Sequence, residues 1–202
     1  MQTLSCYTIF LTLILAGFCS VAVAQNLDVD ILKAVNPEHP DSKYWQYTSN
    51  SLYYVPVGVS AGQLFYGIGQ GSSLTRNRSY ETLISVGISG IIGEILKYTI
   101  KEPRPSVRYP GLVFTNSETR DPSFPSGHTL VAFATATSLA LEYKKWYVTG
   151  PAYLWAGSVG FSRMYLGKHY PSDVLAGMAI GILSGVVSHK FSINVLKSYN
   201  MK

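Results

Sequence analysis

The chain has 202 residues, a length that suits a single domain. Hydrophobic residues make up 47% of it and charged residues only 13%, against about 25% charged in an average soluble domain, which points to a membrane or to an unusually apolar core. The net charge of +5 is modest and comes without any lysine–arginine run, so nucleic-acid binding is excluded.

Residues 1–24 read as an export signal. Ile9 to Ala24 is almost wholly apolar, and Ala22-Val23-Ala24 before Gln25 is an A-x-A cleavage pattern. The alternative is an uncleaved first membrane helix, because Met1 to Phe10 holds no lysine or arginine. Both cysteines, Cys6 and Cys19, lie in this leader. Its removal leaves no disulfide, no thiol nucleophile and no cysteine metal site. Residues 25–51 are polar, with Pro37, Pro40 and the cluster Tyr44-Trp45-Gln46-Tyr47. They are expected to be irregular or briefly helical, with aromatics suited to a membrane interface.

Five apolar segments follow, at about 52–70, 80–100, 128–141, 147–161 and 174–188. Their lengths suit helices and none alternates for long. Leu83 to Leu96 and Val174 to Ser188 are apolar all round rather than along one stripe, as in a large core or in lipid. Their many Gly, Ala, Ser and Thr positions let membrane helices approach closely. Gln63 and Glu94 interrupt two of the runs, and 128–141 is short for a span of about 20 residues, so a soluble helical domain remains an alternative. The expectation is an all-α, compact, membrane-embedded helix bundle of about five helices after the leader, with 25–202 as one domain.

Loop charge gives a side to the bundle. If 52–70 runs inward, Arg76 and Arg78 follow it inside. Segment 80–100 then delivers Lys97 and Arg104 outside, 128–141 leads inward to Lys144 and Lys145, and 147–161 delivers Arg163 outside. Segment 174–188 ends inside at Lys190, Lys197 and Lys202. The inner loops hold positive charge, and three charged stretches share the outer side.

Those stretches suit phosphate chemistry, which needs cations for the oxyanion, a nucleophile and an acid for the leaving oxygen. Lys97 and Arg104 bracket a helix end, with Lys101 between them and Pro103 and Pro105 at the exit. Arginine offers a planar fork for phosphate and lysine a point charge; taken alone, the pair could be two solvated cations. Pro125-Ser126-Gly127-His128 enters a helix, where free backbone N–H groups favour anions and His128 could protonate a leaving group. It could equally be an ordinary capped loop. Arg163, His169 and Asp173 form the third stretch. Asp173 lies four residues after His169, so one helical turn would let its carboxylate fix the imidazole tautomer and leave the other nitrogen to attack phosphorus. A structural His–Asp pair is the plainer alternative. A two-histidine, one-carboxylate metal site from His128, His169 and Asp173 is disfavoured by three nearby cations. His39 and His189 lack such company and read as structural.

Lys97-x6-Arg104-Pro105, then Pro125-Ser126-Gly127-His128, then Ser162-Arg163-x5-His169-x3-Asp173 resembles the type 2 phosphatidic acid phosphatase superfamily. That family includes lipid phosphate phosphatases, bacterial class A acid phosphatases and vanadium haloperoxidases. The resemblance implies that His169 is the nucleophile, Asp173 its orienting group and His128 the general acid. Lys97, Arg104 and Arg163 would bind phosphate, helped by Ser126 and the Gly127 amide, with no metal and no cofactor. It implies a phosphatase acting on a phosphorylated lipid at the outer face of a bacterial inner membrane. An envelope lipid is favoured: lipid A first, then undecaprenyl diphosphate or phosphatidylglycerophosphate. A soluble periplasmic acid phosphatase of broad specificity is the enzyme alternative, and a membrane protein that binds anions without turnover is the non-enzyme one. Glu94, one turn before Lys97, has no assigned role.

Overall fold

The computed structural model describes residues 27–117 and 119–200, with side chains to 193; the expected leader, 1–24, lies outside the described residues. In chain order the helices are α1 (27–35), α2 (Lys43–Asn50), α3 (Val55–Gly69), α4 (Ser73–Ile100), the short α5 (Pro105–Arg108), α6 (Gly127–Tyr143), α7 (Trp146–Tyr165) and α8 (Pro171–Asn200). A 3₁₀ turn, Ser51–Tyr53, joins α2 to α3. The described residues contain no strand. Each of the five apolar segments is a helix, and the polar stretch before them holds two short ones.

Most of the helices outrun their apolar stretches. Helix α4 begins at Ser73, ahead of the run that starts at 80, because the Ser72 hydroxyl caps it by accepting from the Thr75 N–H at 3.3 Å. Arg76 and Arg78, expected in a loop, therefore lie in its first turns. Arg78 donates to the Glu142 carbonyl at 3.0 Å and packs its guanidinium over the Tyr143 ring at 4.6 Å. Apolar periodicity marks only the stretch that must leave water, whereas caps decide where the backbone stops. Helix α4 ends where Lys101 turns to a left-handed φ of 53°, two residues before Pro103.

Helix α6 is the central element and packs against α4, α7 and α8. Its buried face is built from small residues, including Ala132, Ala134, Thr135, Ala136, Thr137 and Ser138. Helix α8 answers with Gly177, Gly181 and Gly185, one per turn. A Cβ at Gly177 would lie 2.7 Å from the Ser126 carbonyl, and one at Gly185 2.7 Å from the Thr137 side chain. One at Gly181 would press on the Leu130 carbonyl. Small residues on both surfaces bring the two backbones into direct contact, as membrane helices do in place of large interlocking side chains.

At the end of the bundle where α6 finishes, a buried polar network ties four helices together. Gln63 of α3 donates to Glu142 Oε2 of α6 at 2.6 Å, and Thr82 of α4 to Glu142 Oε1 at 3.1 Å. His189 of α8 pairs with Glu81 of α4 at 2.7 Å. The polar interruption at Gln63 is thus compatible with a lipid setting, because its amide is satisfied inside the protein.

The outside of the bundle is apolar. The stretches Ser73–Arg108 and Pro171–Ile193 are long and apolar enough to cross a membrane. Ile91, Ile95, Leu154, Leu175 and Leu183 all project outward, across three helices. An apolar surface of this extent suits lipid rather than water. The described residues form a membrane-embedded all-α bundle.

Helix α1 acts as a clamp on the opposite end from the buried network. Asp28 accepts from the Ser172 N–H at 2.9 Å and the Ser172 hydroxyl at 2.5 Å, so it caps α8 from 144 residues away. Asn36 exchanges hydrogen bonds with both main-chain groups of Phe114 and donates to the Tyr165 carbonyl at 2.8 Å. Replacing Asp28 by alanine is expected to cost about 1 kcal/mol, the usual loss of a helix cap. A lowered thermal midpoint of the detergent-solubilised protein would register it.

Candidate active site

The three charged stretches meet at the α1 end of the bundle. Helix α4 and its exit bring Lys97 and Arg104, the start of α6 brings Ser126, Gly127 and His128, the last turn of α7 brings Arg163, and the α7–α8 link brings His169. The link is short because Gly167 adopts a φ of 64° and returns the chain at once, with the Lys168 N–H on the Arg163 carbonyl at 3.0 Å. A Cβ at Gly167 would run into the Phe114 carbonyl, so both the turn and the close approach need glycine.

His169 is almost fully buried, at 2% exposed, and both ring nitrogens are addressed. Nδ1 lies 3.3 Å from Asp173 Oδ2, across the single turn that the spacing predicts. The same carboxylate oxygen accepts from the Ser123 hydroxyl at 2.5 Å and the Tyr170 N–H at 2.9 Å. Nε2 faces Arg104 Nη1 at 3.4 Å. Arginine can only donate, and a carboxylate favours an N–H opposite it. The geometry therefore selects the tautomer protonated on Nδ1 and leaves the Nε2 lone pair facing the cations. Burial, together with the charges of Arg163, Arg104 and Lys97, holds the His169 pKa well below its ordinary value, so the ring is neutral near pH 7.

Arg104 is buried and held at three points. Nε donates to the Asp121 carbonyl at 2.9 Å, Nη1 to the Lys168 carbonyl at 2.8 Å and Nη2 to Asp121 Oδ2 at 2.8 Å. Lys97 Nζ reaches the same Asp121 oxygen at 3.0 Å. Glu94 stands 4.0 Å from Lys97 and is largely exposed, a weak surface pair. Burial pushes the Asp121 carboxyl up, but the Lys97 and Arg104 charges outweigh this and bring it down to about 2.

Arg163 is buried and donates through Nη1 to Ser49 Oγ at 2.6 Å, while its buried Nε has no hydrogen-bond partner. Burying an unpaired donor of a charged group is costly, so this guanidinium is poised for an anion. His128, in the first turn of α6, is half-buried. It makes an edge contact with the Tyr53 ring at 5.7 Å and no hydrogen bond to a described residue. Ser126 occupies the N-cap position of α6 without a capping side-chain bond, and its hydroxyl pairs with Thr129 at 2.9 Å. Gly127 is the first residue of the helix, and a Cβ there would meet nothing within 4 Å, so its contribution is confined to its amide. Among the described residues no three of His, Cys, Asp and Glu converge as a metal site.

Sequence reasoning missed Ser123, Asp121, Ser49 and Lys168. Ser123 completes the carboxylate–imidazole pair and Ser49 anchors Arg163. Lys168 is buried, with its ammonium on the Ser117 carbonyl and on Ser117 Oγ at 2.6 Å; burial lowers its pKa to about 8. Only Ser123 and Asp121 carried any signal, as polar residues just ahead of the Pro-Ser-Gly-His stretch.

Two buried arginines, the partly buried Lys97 and a tautomer-fixed histidine can hold a tetrahedral anion and deliver a nitrogen lone pair to it. Known proteins resemble this chain in sequence and in fold. Over 119 residues it is 34% identical to undecaprenyl-diphosphatase BcrC of Bacillus subtilis, covering 57% of this chain and 60% of that protein. Over 86 residues it is 42% identical to lipid A 1-phosphatase of Porphyromonas gingivalis, covering 40% of this chain and 19% of that one. The chain thus spans about 60% or less of the length of these relatives. The crystal structure of Aquifex aeolicus LpxE superposes with a TM-score of 0.63 at 25% identity, covering 81% of this chain and 95% of that one. The transmembrane PAP2-type phosphatidylglycerolphosphate phosphatase of Bacillus subtilis superposes with a TM-score of 0.66 at 24% identity, covering 94% and 96%, a likeness of fold. The model of the PAP2 superfamily matches residues 80–196, a segment that contains every expected site residue, and the chain belongs to that superfamily.

Proposed function

We propose that residues 25–202 form one metal-independent phosphatase unit that hydrolyses a lipid phosphate at the periplasmic face of a bacterial inner membrane. The observation that carries this is the pairing around His169. Nδ1 is held by Asp173 at 3.3 Å, and Nε2 faces Arg104 at 3.4 Å, where a phosphorus atom bound by the cations would sit. The Nε2 lone pair attacks phosphorus and the bond to the lipid oxygen breaks. His128, which takes up a proton once the substrate's negative charge offsets the cations beside it, gives that proton to the oxygen. Water then attacks the phosphohistidine, His128 takes a proton from the water, and inorganic phosphate leaves with His169 restored. Arg163, Arg104 and Lys97 stabilise the charge on the phosphoryl oxygens throughout, with Ser126 and the Gly127 amide beside them. Asp173 and Ser123 keep the Nδ1 proton in place. The carriers of positive charge at the other end of the bundle, Arg78, Lys144 and Lys145, support an inward orientation for that end.

The substrate is taken to be an envelope lipid, with lipid A first and undecaprenyl diphosphate or phosphatidylglycerophosphate next. Relatives whose names specify the first two substrates support that shortlist. Phosphate release by the detergent-purified protein tests it, on lipid A, undecaprenyl diphosphate, phosphatidylglycerophosphate, phosphatidic acid and p-nitrophenyl phosphate. Turnover of at least one lipid well above the soluble ester is expected. Activity on the soluble ester alone would overturn the lipid assignment.

A further inference from the structure

Two of the three cations assigned to phosphate already hold an anion. Lys97 Nζ and Arg104 Nη2 converge on a single oxygen, Asp121 Oδ2, at 3.0 and 2.8 Å. One oxygen shared by an ammonium and a guanidinium is also the arrangement a phosphoryl oxygen would take there.

The carboxylate is not what positions Arg104. Its Nε and Nη1 are fixed by the main-chain carbonyls of Asp121 and Lys168 at 2.9 and 2.8 Å, bonds that survive any change in the Asp121 side chain. That side chain is 49% exposed and belongs to the irregular segment between α5 and α6. It also lines a cleft of about 760 Å³ together with Lys101, Arg104, Arg120 and Pro122. Lys101 and Arg120 make no ion pair with a described residue. The carboxylate therefore has an empty volume to turn into and two cations to meet there, while its own backbone carbonyl stays on Arg104.

Resting on the reading of Lys97 and Arg104 as phosphate ligands, we propose that Asp121 is an internal competing anion: its carboxylate occupies the phosphate-oxygen position of the free enzyme, the substrate phosphate displaces it into the cleft, and its return helps to expel inorganic phosphate. Two consequences follow. The free enzyme never presents three uncompensated cations to passing anions. Product, which has lost the lipid anchor, competes poorly with the returning carboxylate, whereas a membrane-held ester does not.

Titration calorimetry of the detergent-solubilised full chain with inorganic phosphate tests this, alongside the inhibition constant of phosphate in the lipid assay. Asp121→Asn keeps the shape and removes the charge. It is expected to bind phosphate about tenfold more tightly, the scale of one hydrogen bond to a charged group, and to be inhibited by product at correspondingly lower concentration. Asp121→Ala serves as the second variant and is expected to shift in the same direction. Equal or weaker phosphate binding in both folded variants would overturn the proposal and leave Asp121 as a support for the cations. If the unsubstituted protein hydrolyses lipid phosphate while the variants bind phosphate no more tightly, only the role of Asp121 falls. If it neither binds phosphate nor releases it from any lipid, the phosphate site falls and the proposal with it.

Discussion

His169→Ala is expected to lower phosphate release by about 10,000-fold or more, the scale of removing a nucleophile, while the bundle remains folded. The fold does not rest on this ring. Asp173 would keep the Ser123 hydroxyl at 2.5 Å and the Tyr170 N–H at 2.9 Å, so no carboxylate is left without partners. A burst of the lipid product, which leaves as the phosphohistidine forms, present before the substitution and absent after it, would measure the effect. Unchanged turnover would refute the nucleophile assignment. The neutral state of the ring is a separate observable. Because burial and three cations hold the His169 pKa well below 6.5, its imidazole signal in a labelled sample is expected not to titrate between pH 8 and about 6. The unfolded chain binds this proton more readily than the folded one. The contribution of His169 to stability is therefore complete above its unfolded pKa of about 6.5 and declines as the pH falls below it.

Arg163→Met is expected to reduce turnover by about 100- to 1000-fold, the range seen when one donor to a developing oxyanion is removed. Its effect on stability should be small or favourable. The guanidinium is buried with one bond to Ser49 and an Nε that has no partner, so the folded protein carries the cost of a charge it does not fully satisfy. Methionine fills similar space without that charge. Loss of activity with an unchanged or raised thermal midpoint is the expected pair of results. A large drop in both would make Arg163 a structural residue.

Much of the bundle was legible in the composition. Runs such as Leu83 to Leu96 and Val174 to Ser188 are apolar on every side, and that pattern leaves a helix few places except lipid or a core. The Gly, Ala, Ser and Thr content of the α4 and α8 runs foretold close packing, which Gly177, Gly181 and Gly185 of α8 deliver. Helix ends were less legible. Arg76 and Arg78 looked like loop residues because charge breaks an apolar run, yet the Ser72 cap lets the helix begin before them. The pair His169 and Asp173 could be read because both members lie within one turn, so their meeting depends on local geometry alone.

The sequence by itself determined that helices deliver cations and histidines to one side, and that His169 and Asp173 share a turn. Those properties follow from composition and short spacing. Tertiary structure alone decided what completes the site. Ser123 reaches Asp173 across 50 residues, Ser49 reaches Arg163 across 114, and Asp28 caps α8 across 144. Serine and aspartate are ordinary residues in ordinary surroundings along the chain. Nothing local marks Ser49 or Asp28, because their role comes from partners that only packing brings within hydrogen-bond reach. Asp121 is the sharpest case: a loop carboxylate in the sequence, and in the fold the anion that sits on Lys97 and Arg104.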